Sequence, residues 1–188
     1  LHFYFWPDVA PDGYAWAFPC GDVVRFGVLS YRGRTRLRAQ LDRFVARFGL
    51  RPQGYHGGFL GVGLGWTGSG RLFVVGDSAG CCLPLTGEGI RCALNAGWLV
   101  GSLVREVVAG RCTLDEAHRR YDEYVRKQRR AVVFLGAATG CARRLRGAFL
   151  EFVLTAWSAP LLRRAFLRHY LAAFPAPAVG GPAGRVGW

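Results

Sequence analysis

The chain has 188 residues, 51% hydrophobic and 20% charged, which suits a domain-sized core and excludes disorder and collagen-like repeats. Twenty-five Lys and Arg face twelve Asp and Glu, a formal charge of +13, and Lys127 is the only lysine, so the positive charge is nearly all guanidinium. No methionine occurs at any position, so the chain is expected to be a piece of a longer protein.

The longest uncharged apolar stretches, residues 93–104 and 131–142, have twelve residues each. A spanning helix needs roughly 20. Residues 1–6 lack the basic start and long apolar run of a signal peptide. Cysteines 20, 81, 82, 92, 112 and 141 show no CxxC and no Cys/His pairing at metal-ligand spacing, so they read as small core residues in a reducing compartment. Residues 32–51 carry seven arginines and one aspartate, and residues 111–170 thirteen basic and five acidic side chains. Such clusters fit either an anionic partner (nucleic acid, phospholipid headgroups, a diphosphate) or a solvated helix face.

In chain order, residues 1–6 alternate as a strand, with Leu1, Phe3 and Phe5 on one face. Residues 7–13 form a turn-rich link marked by Pro7, Pro11 and Asp12-Gly13. In residues 14–19 a period of two puts Tyr14, Trp16 and Phe18 on one side and two alanines on the other. Gly21-Asp22 turns the chain and residues 23–31 return, predicting a hairpin. Leu37, Leu41, Phe44, Val45 and Phe48 make the stripe of an amphipathic helix over 35–48, with Thr35 as its cap and Gly49 at its end.

Glycine-rich residues 54–70 suit short strands and turns. Residues 72–75, wholly apolar, read as a strand buried on both faces, ending at Gly76-Asp77. Residues 88–109 are apolar nearly all round and predict a buried helix stopped by Gly110. Thr113 and Glu116 form a capping box for a long helix whose stripe is Ala117, Tyr121, Tyr124, Val125 and Val132. Helices are expected over 143–157 and 161–174, and an unstructured tail from Pro175.

The stretch 72–90 carries the chemistry. An aspartate after a strand sits where open sheets hold ligands. Gly76 and Gly80 leave room for a ligand to approach the backbone, and residues 84–89 lead into a helix whose N–H groups and positive dipole end face the same place. Together they suit a hydroxyl chain at one end and an electron-rich ring oxygen at the other. A purely structural loop is the competing reading.

Gly76-Asp77-Ser78-Ala79-Gly80 followed by Pro84-Leu85-Thr86-Gly87-Glu88-Gly89-Ile90 resembles the second flavin-binding motif of the para-hydroxybenzoate hydroxylase class of FAD enzymes, and in fuller form its geranylgeranyl reductase branch. Tyr14-Ala15-Trp16-Ala17-Phe18-Pro19, with Gly27 eight positions beyond the proline, is similar to that branch's aromatic substrate motif, YxWxFP followed by GxG, although Leu29 stands at the second glycine. The resemblance covers about residues 1–131. It implies that FAD is the cofactor, held by Gly76, Asp77, Gly80, Pro84, Gly87, Glu88 and Gly89. Asp77 would bond the ribityl chain, and the amides of residues 87–89 would face the pyrimidine edge. It implies that Tyr14, Trp16 and Phe18 line an apolar pocket for an isoprenoid or other apolar small molecule, the alternative being ordinary sheet core. It assigns no catalytic residue.

The implied fold is α+β or α/β: the C-terminal part of a two-domain FAD-binding, para-hydroxybenzoate hydroxylase-like architecture. Residues 1–66 would belong to the substrate-binding sheet, 67–112 to the FAD-binding domain, 113–174 to a helical region and 175–188 to a tail. The strand, G-x-G-x-x-G turn and helix that together grip the pyrophosphate are not read in this chain, since no helix is expected after the glycines at 61, 63 and 65; that N-terminal dinucleotide-binding segment is therefore an expected partner. The implied activity is flavin-dependent reduction of carbon–carbon double bonds in an isoprenoid lipid. The alternatives are a monooxygenase or halogenase-like enzyme of the same fold, and a non-catalytic remnant that binds membrane or another anionic partner. Arg143, Arg144, Arg146, Arg163, Arg164 and Arg168, flanking Phe149, Phe152, Trp157 and Phe166, support a cytoplasmic protein peripheral to a membrane rather than a nucleic-acid binder. His2, His56, His118 and His169 lie in unlike contexts, and no metal site or Ser/His/Asp set is expected.

Overall fold

The computed structural model describes residues 1–33, 36–144, 160–172 and 174–177. The chain divides into two compact units, Leu1–Phe59 and Leu60–Trp188.

In the first unit, β1 (His2–Tyr4), β2 (Gly13–Cys20) and β3 (Val23–Ser30) form an antiparallel sheet in the order β1-β2-β3. The β2–β3 hairpin turns at Gly21, whose φ of 63° suits glycine. Its register sets Tyr14 opposite Leu29, Trp16 opposite Gly27 and Phe18 opposite Arg25. Opposed residues share a face, so the three aromatics lie beside Phe3 on one side, and Ala15 and Ala17 point to the other.

Helix α1 (Leu37–Ala46) covers the alanine side. Phe44 is fully buried there, its ring 5.1–5.7 Å from those of Tyr4, Trp6, Phe26 and Phe48. Its removal would cost about 3–5 kcal/mol. The helix is shorter than its stripe predicts: Thr35 lies outside the described residues and Arg36 begins it without a side-chain cap. Gly49, at φ 69°, ends it as expected by donating its N–H to the Ala46 carbonyl.

The second unit holds β4 (Gly68–Ser69), β5 (Leu72–Phe73), a 3-10 turn at Gly76–Ala79, α2 (Ile90–Val108), α3 (Leu114–Lys127), α4 (Arg129–Arg144) and α5 (Pro160–Ala172). Its core joins Ala79, Cys81 and Leu83 to Cys92, Ala96 and Leu103 of α2 and to Ala117, Tyr121 and Val125 of α3. The α3 start follows its sequence signal, with the Thr113 hydroxyl accepting the Glu116 N–H at 3.1 Å. The Glu116 carboxylate does not complete the box; it pairs with Arg119. The helical stretch breaks at Gln128, so Val132 belongs to α4.

Two expectations fail. Residues 72–75 are not a strand buried on both faces: only Leu72–Phe73 pairs as a strand, antiparallel with β4, and Leu72 is 54% exposed. A doubly buried strand needs neighbours on both edges and layers on both faces, and no parallel pair occurs among the described residues. Nor is α2 buried all round. One side enters the core, while Ile90, Leu94 and Trp98 on the other are 78%, 68% and 63% exposed. Of the remaining expectations, most of the helix over 143–157 and most of the tail fall outside the described residues.

Candidate functional site

The loop from Gly76 to Gly89 is built on left-handed glycines and a strip of neighbouring backbone. Gly76, Gly80 and Gly87 all have φ of 62–68°. A Cβ on Gly76 would approach Ala93 to 3.1 Å, so the missing side chain lets α2 pack close behind the turn. Residues 61–65 run antiparallel beside residues 79–82: Leu64 donates to the Gly80 carbonyl, Gly65 to Ala79, and Cys82 to Gly61, all at 2.9–3.0 Å. The glycines of this strip lead into β4 and not into a helix, so they do not build a pyrophosphate loop. A Cβ on Gly61 would lie 1.8 Å from the Asp77 carbonyl oxygen, so Gly61 admits backbone to backbone, whereas a Cβ on Gly63 would meet nothing within 4 Å.

Asp77 is exposed, and its carboxylate faces the start of α2: an ideal Cβ on Gly89 would sit 2.7 Å from Asp77 Oδ1. Gly89 is the N-cap of that nineteen-residue helix, and no side chain caps it. The positive end of the helix dipole therefore lies beside the Asp77 carboxylate. The carboxylate and helix entrance that the sequence pairs are side by side.

The remaining loop residues are organised internally. Leu83 donates to the Glu88 carbonyl at 2.8 Å, Gly87 to Leu83 at 3.0 Å and Thr86 to Pro84 at 2.9 Å, the last across Leu85 at φ 73°. That conformation is rare outside glycine. The Gly87 N–H is thus spent inside the loop, and the Glu88 N–H lies 3.4 Å from the Thr86 hydroxyl. The Glu88 carboxylate turns to Arg91, both of whose bonds to it are 3.0 Å, and to the Tyr170 hydroxyl at 2.5 Å. Sequence reasoning missed Arg91 and Tyr170: Tyr170 lies 82 positions from Glu88, and no local spacing carries that signal.

Burial pushes the Cys81 thiol up to about 11, and those of Cys82 and Cys92 to about 12; the Asp77 charge adds for the first two and Glu88 for the last two. They remain protonated core residues, not nucleophiles. Cys112 is half-buried and Cys20 exposed beyond the aromatic strand, so the core reading fails for Cys20. His118 stacks on Phe73 at 4.0 Å and bonds the Gly70 carbonyl, a structural strut. Among the described residues no group of His, Cys, Asp and Glu is set to hold a metal, and no helix is long and apolar enough to cross a membrane. Arg163, Arg164 and Arg168 are exposed; Arg146, Phe149, Phe152 and Trp157 lie outside the described residues. A depression of about 530 Å³ between residues 63–67 and α3 includes neither Asp77 nor Gly89. The carboxylate and helix entrance form an open surface.

In the first unit Tyr14 is buried and Trp16 and Phe18 are half-buried. They form a continuous aromatic face with Phe3 at ring separations of 5.3–6.1 Å. Gly27 is required beneath it, because a Cβ there would meet the Trp16 indole at 2.0 Å. The helix-covered core lies under the alanines instead.

No family model matches the chain and no solved structure matches it. Curated relatives do. A digeranylgeranylglycerophospholipid reductase of Methanococcus vannielii is 31% identical over 131 residues, 65% of this chain and 33% of that protein. The reductase of the same name from Methanocaldococcus jannaschii is 32% identical over 136 residues, 65% of this chain and 35% of its own length. That of Methanospirillum hungatei is 36% identical over 132 residues, covering 64% and 32%. The chain spans about a third of the length of these relatives. Over about 65% of its length the chain is similar to these digeranylgeranylglycerophospholipid reductases.

Proposed function

We propose that this chain is the part of an FAD-dependent oxidoreductase that holds the ring-bearing half of the flavin, and that the parent reduces carbon–carbon double bonds of an isoprenoid lipid. The observation that carries this reading is the Asp77 carboxylate set against Gly89 at the uncapped start of α2, within a chain similar to lipid reductases. The residues fit such a group. Asp77 would accept hydrogen bonds from a polyhydroxyl chain, and the α2 entrance would turn its positive end to an electron-rich ring edge. Gly76 and Gly80 are buried against Ala93 and the Leu64–Gly65 backbone, so they serve by packing the turn and not by opening its backbone to the ligand. Pro84, Gly87 and Glu88 shape the loop that leads to that entrance.

When bound, the flavin would supply the reducing equivalents for the double bond. Tyr14, Trp16 and Phe18 would give an extended polyene an apolar wall. The arrangement proposed for the parent is a two-domain, para-hydroxybenzoate hydroxylase-like fold, its pyrophosphate-binding segment outside this chain.

The test uses the full-length protein. It is expected to purify yellow, to release FAD on denaturation and to saturate double bonds of a geranylgeranylated glycerolipid. Asp77→Ala is expected to weaken FAD binding by at least tenfold, measured by flavin fluorescence titration. A correctly folded parent that takes up no flavin would sink the reading.

A further inference from the structure

We infer that the C-terminal end of the described chain clamps the candidate cofactor loop, with Tyr170 and Arg91 as positioning residues acting through Glu88 and Thr86. The inference rests on the flavin reading above. Between Leu83 and Gly89 only Thr86 and Glu88 have polar side chains, and both end on one phenol. Tyr170 donates its proton to Glu88 Oε2 at 2.5 Å, which leaves the Thr86 hydroxyl, 3.3 Å away, to donate to the phenol oxygen. Burial, then the bond to Glu88, pushes the phenol up to about 12, so it stays a donor.

Arg91 grips both carboxylate oxygens with 3.0 Å bonds, sharing Oε2 with the Tyr170 hydroxyl. The same guanidinium donates to the carbonyls of Tyr170 and Phe174, both at 3.3 Å. Phe174 is fixed further. Its carbonyl accepts from Asn95 at 2.8 Å and its N–H donates to Gln128 at 2.7 Å. It is fully buried at φ 51°, a conformation a non-glycine residue holds only where its surroundings impose it.

The rings of Phe174 and Tyr170 both pack on the core, which needs neither the phenol hydroxyl nor the guanidinium. The additional polar links reach the loop itself. Glu88 closes the loop through its carbonyl and precedes Gly89, the residue against which Asp77 rests. Displacing the Glu88 carboxylate therefore displaces the surface facing Asp77. Affinity for a ligand at that surface is thus set partly by a tyrosine more than eighty residues away.

The experiment compares Tyr170→Phe with Tyr124→Phe in the full-length protein. Tyr124 holds the same C-terminal segment, through the Pro175 carbonyl at 3.0 Å, without touching the loop. In Tyr170→Phe the amides of Leu83 and Gly87 are expected to exchange with deuterium at least tenfold faster and the FAD dissociation constant to rise five- to tenfold. In Tyr124→Phe both stay within twofold of the parent. Glu88→Gln, which keeps the volume but loses the charge pairing with Arg91, moves both readouts in the Tyr170→Phe direction and serves if that variant does not fold. Unchanged exchange at both amides, or equal acceleration in Tyr170→Phe and Tyr124→Phe, overturns the clamp. A parent that binds no FAD overturns the flavin reading, and the exchange data then decide the clamp on their own.

Discussion

Asp77 and Gly89 illustrate how one missing methyl group can hold a carboxylate in place. Gly89 has φ of −120°, which any residue adopts, so glycine is not needed there for backbone reasons. It is needed for space, since a Cβ would come within 2.7 Å of Asp77 Oδ1. The carboxylate is exposed and can rotate away, so Gly89→Ala is expected to leave stability within about 1 kcal/mol in urea denaturation. In the full-length protein the same change should weaken FAD binding about tenfold by fluorescence titration, because Asp77 no longer faces the helix entrance. Gly61 contrasts with it: its neighbour is the Asp77 carbonyl, which cannot swing aside without moving the turn.

At the scale of elements, local signals and packing decide different things. The α3 cap is local: Thr113, its hydroxyl and the Glu116 N–H lie within one turn, with no tertiary partner involved. Thr113→Ala is expected to cost about 0.5–2 kcal/mol, read as a lower midpoint with unchanged slope in urea denaturation. Helix α2 depends on packing instead. Its apolar residues surround the axis, yet only the side bearing Cys92, Ala96 and Leu103 is buried. Periodicity reports where apolar residues lie, and cannot report whether both sides meet a partner. In the first unit the reverse holds. The alternation of large aromatics with alanines is legible in residues 14–18, but only α1 shows that the small residues face the core.

At the scale of the molecule, three buried thiols and the phenols of Tyr124 and Tyr170 make the folded chain sensitive to alkali. An unfolded thiol titrates near 9, whereas burial raises Cys81, Cys82 and Cys92 to about 11–12. Burial likewise raises Tyr124 and Tyr170 from 10 to about 12. Between those values the unfolded chain releases protons that the folded chain retains, so rising pH favours unfolding. Stability from these groups is complete below about pH 9 and is lost as pH climbs toward 12. Thermal midpoints should therefore be flat from pH 7 to 9 and fall steadily above it. A Cys82→Ala/Cys92→Ala variant should show a shallower decline.

The sequence by itself determined the hairpin, the α1 stripe, the α3 cap and the paired motifs that resemble those of geranylgeranyl reductases, because each depends on neighbours within a turn, a strand or a short loop. It also placed Asp77 and the α2 entrance in one segment. Tertiary structure alone decided that residues 61–65 brace that segment, that only residues 72–73 of the apolar run pair as a strand, and that Glu88 is held by Tyr170. Those outcomes depend on which distant backbone and side chains satisfy a buried polar group or cover an apolar face. Spacing along the chain carries no record of that choice.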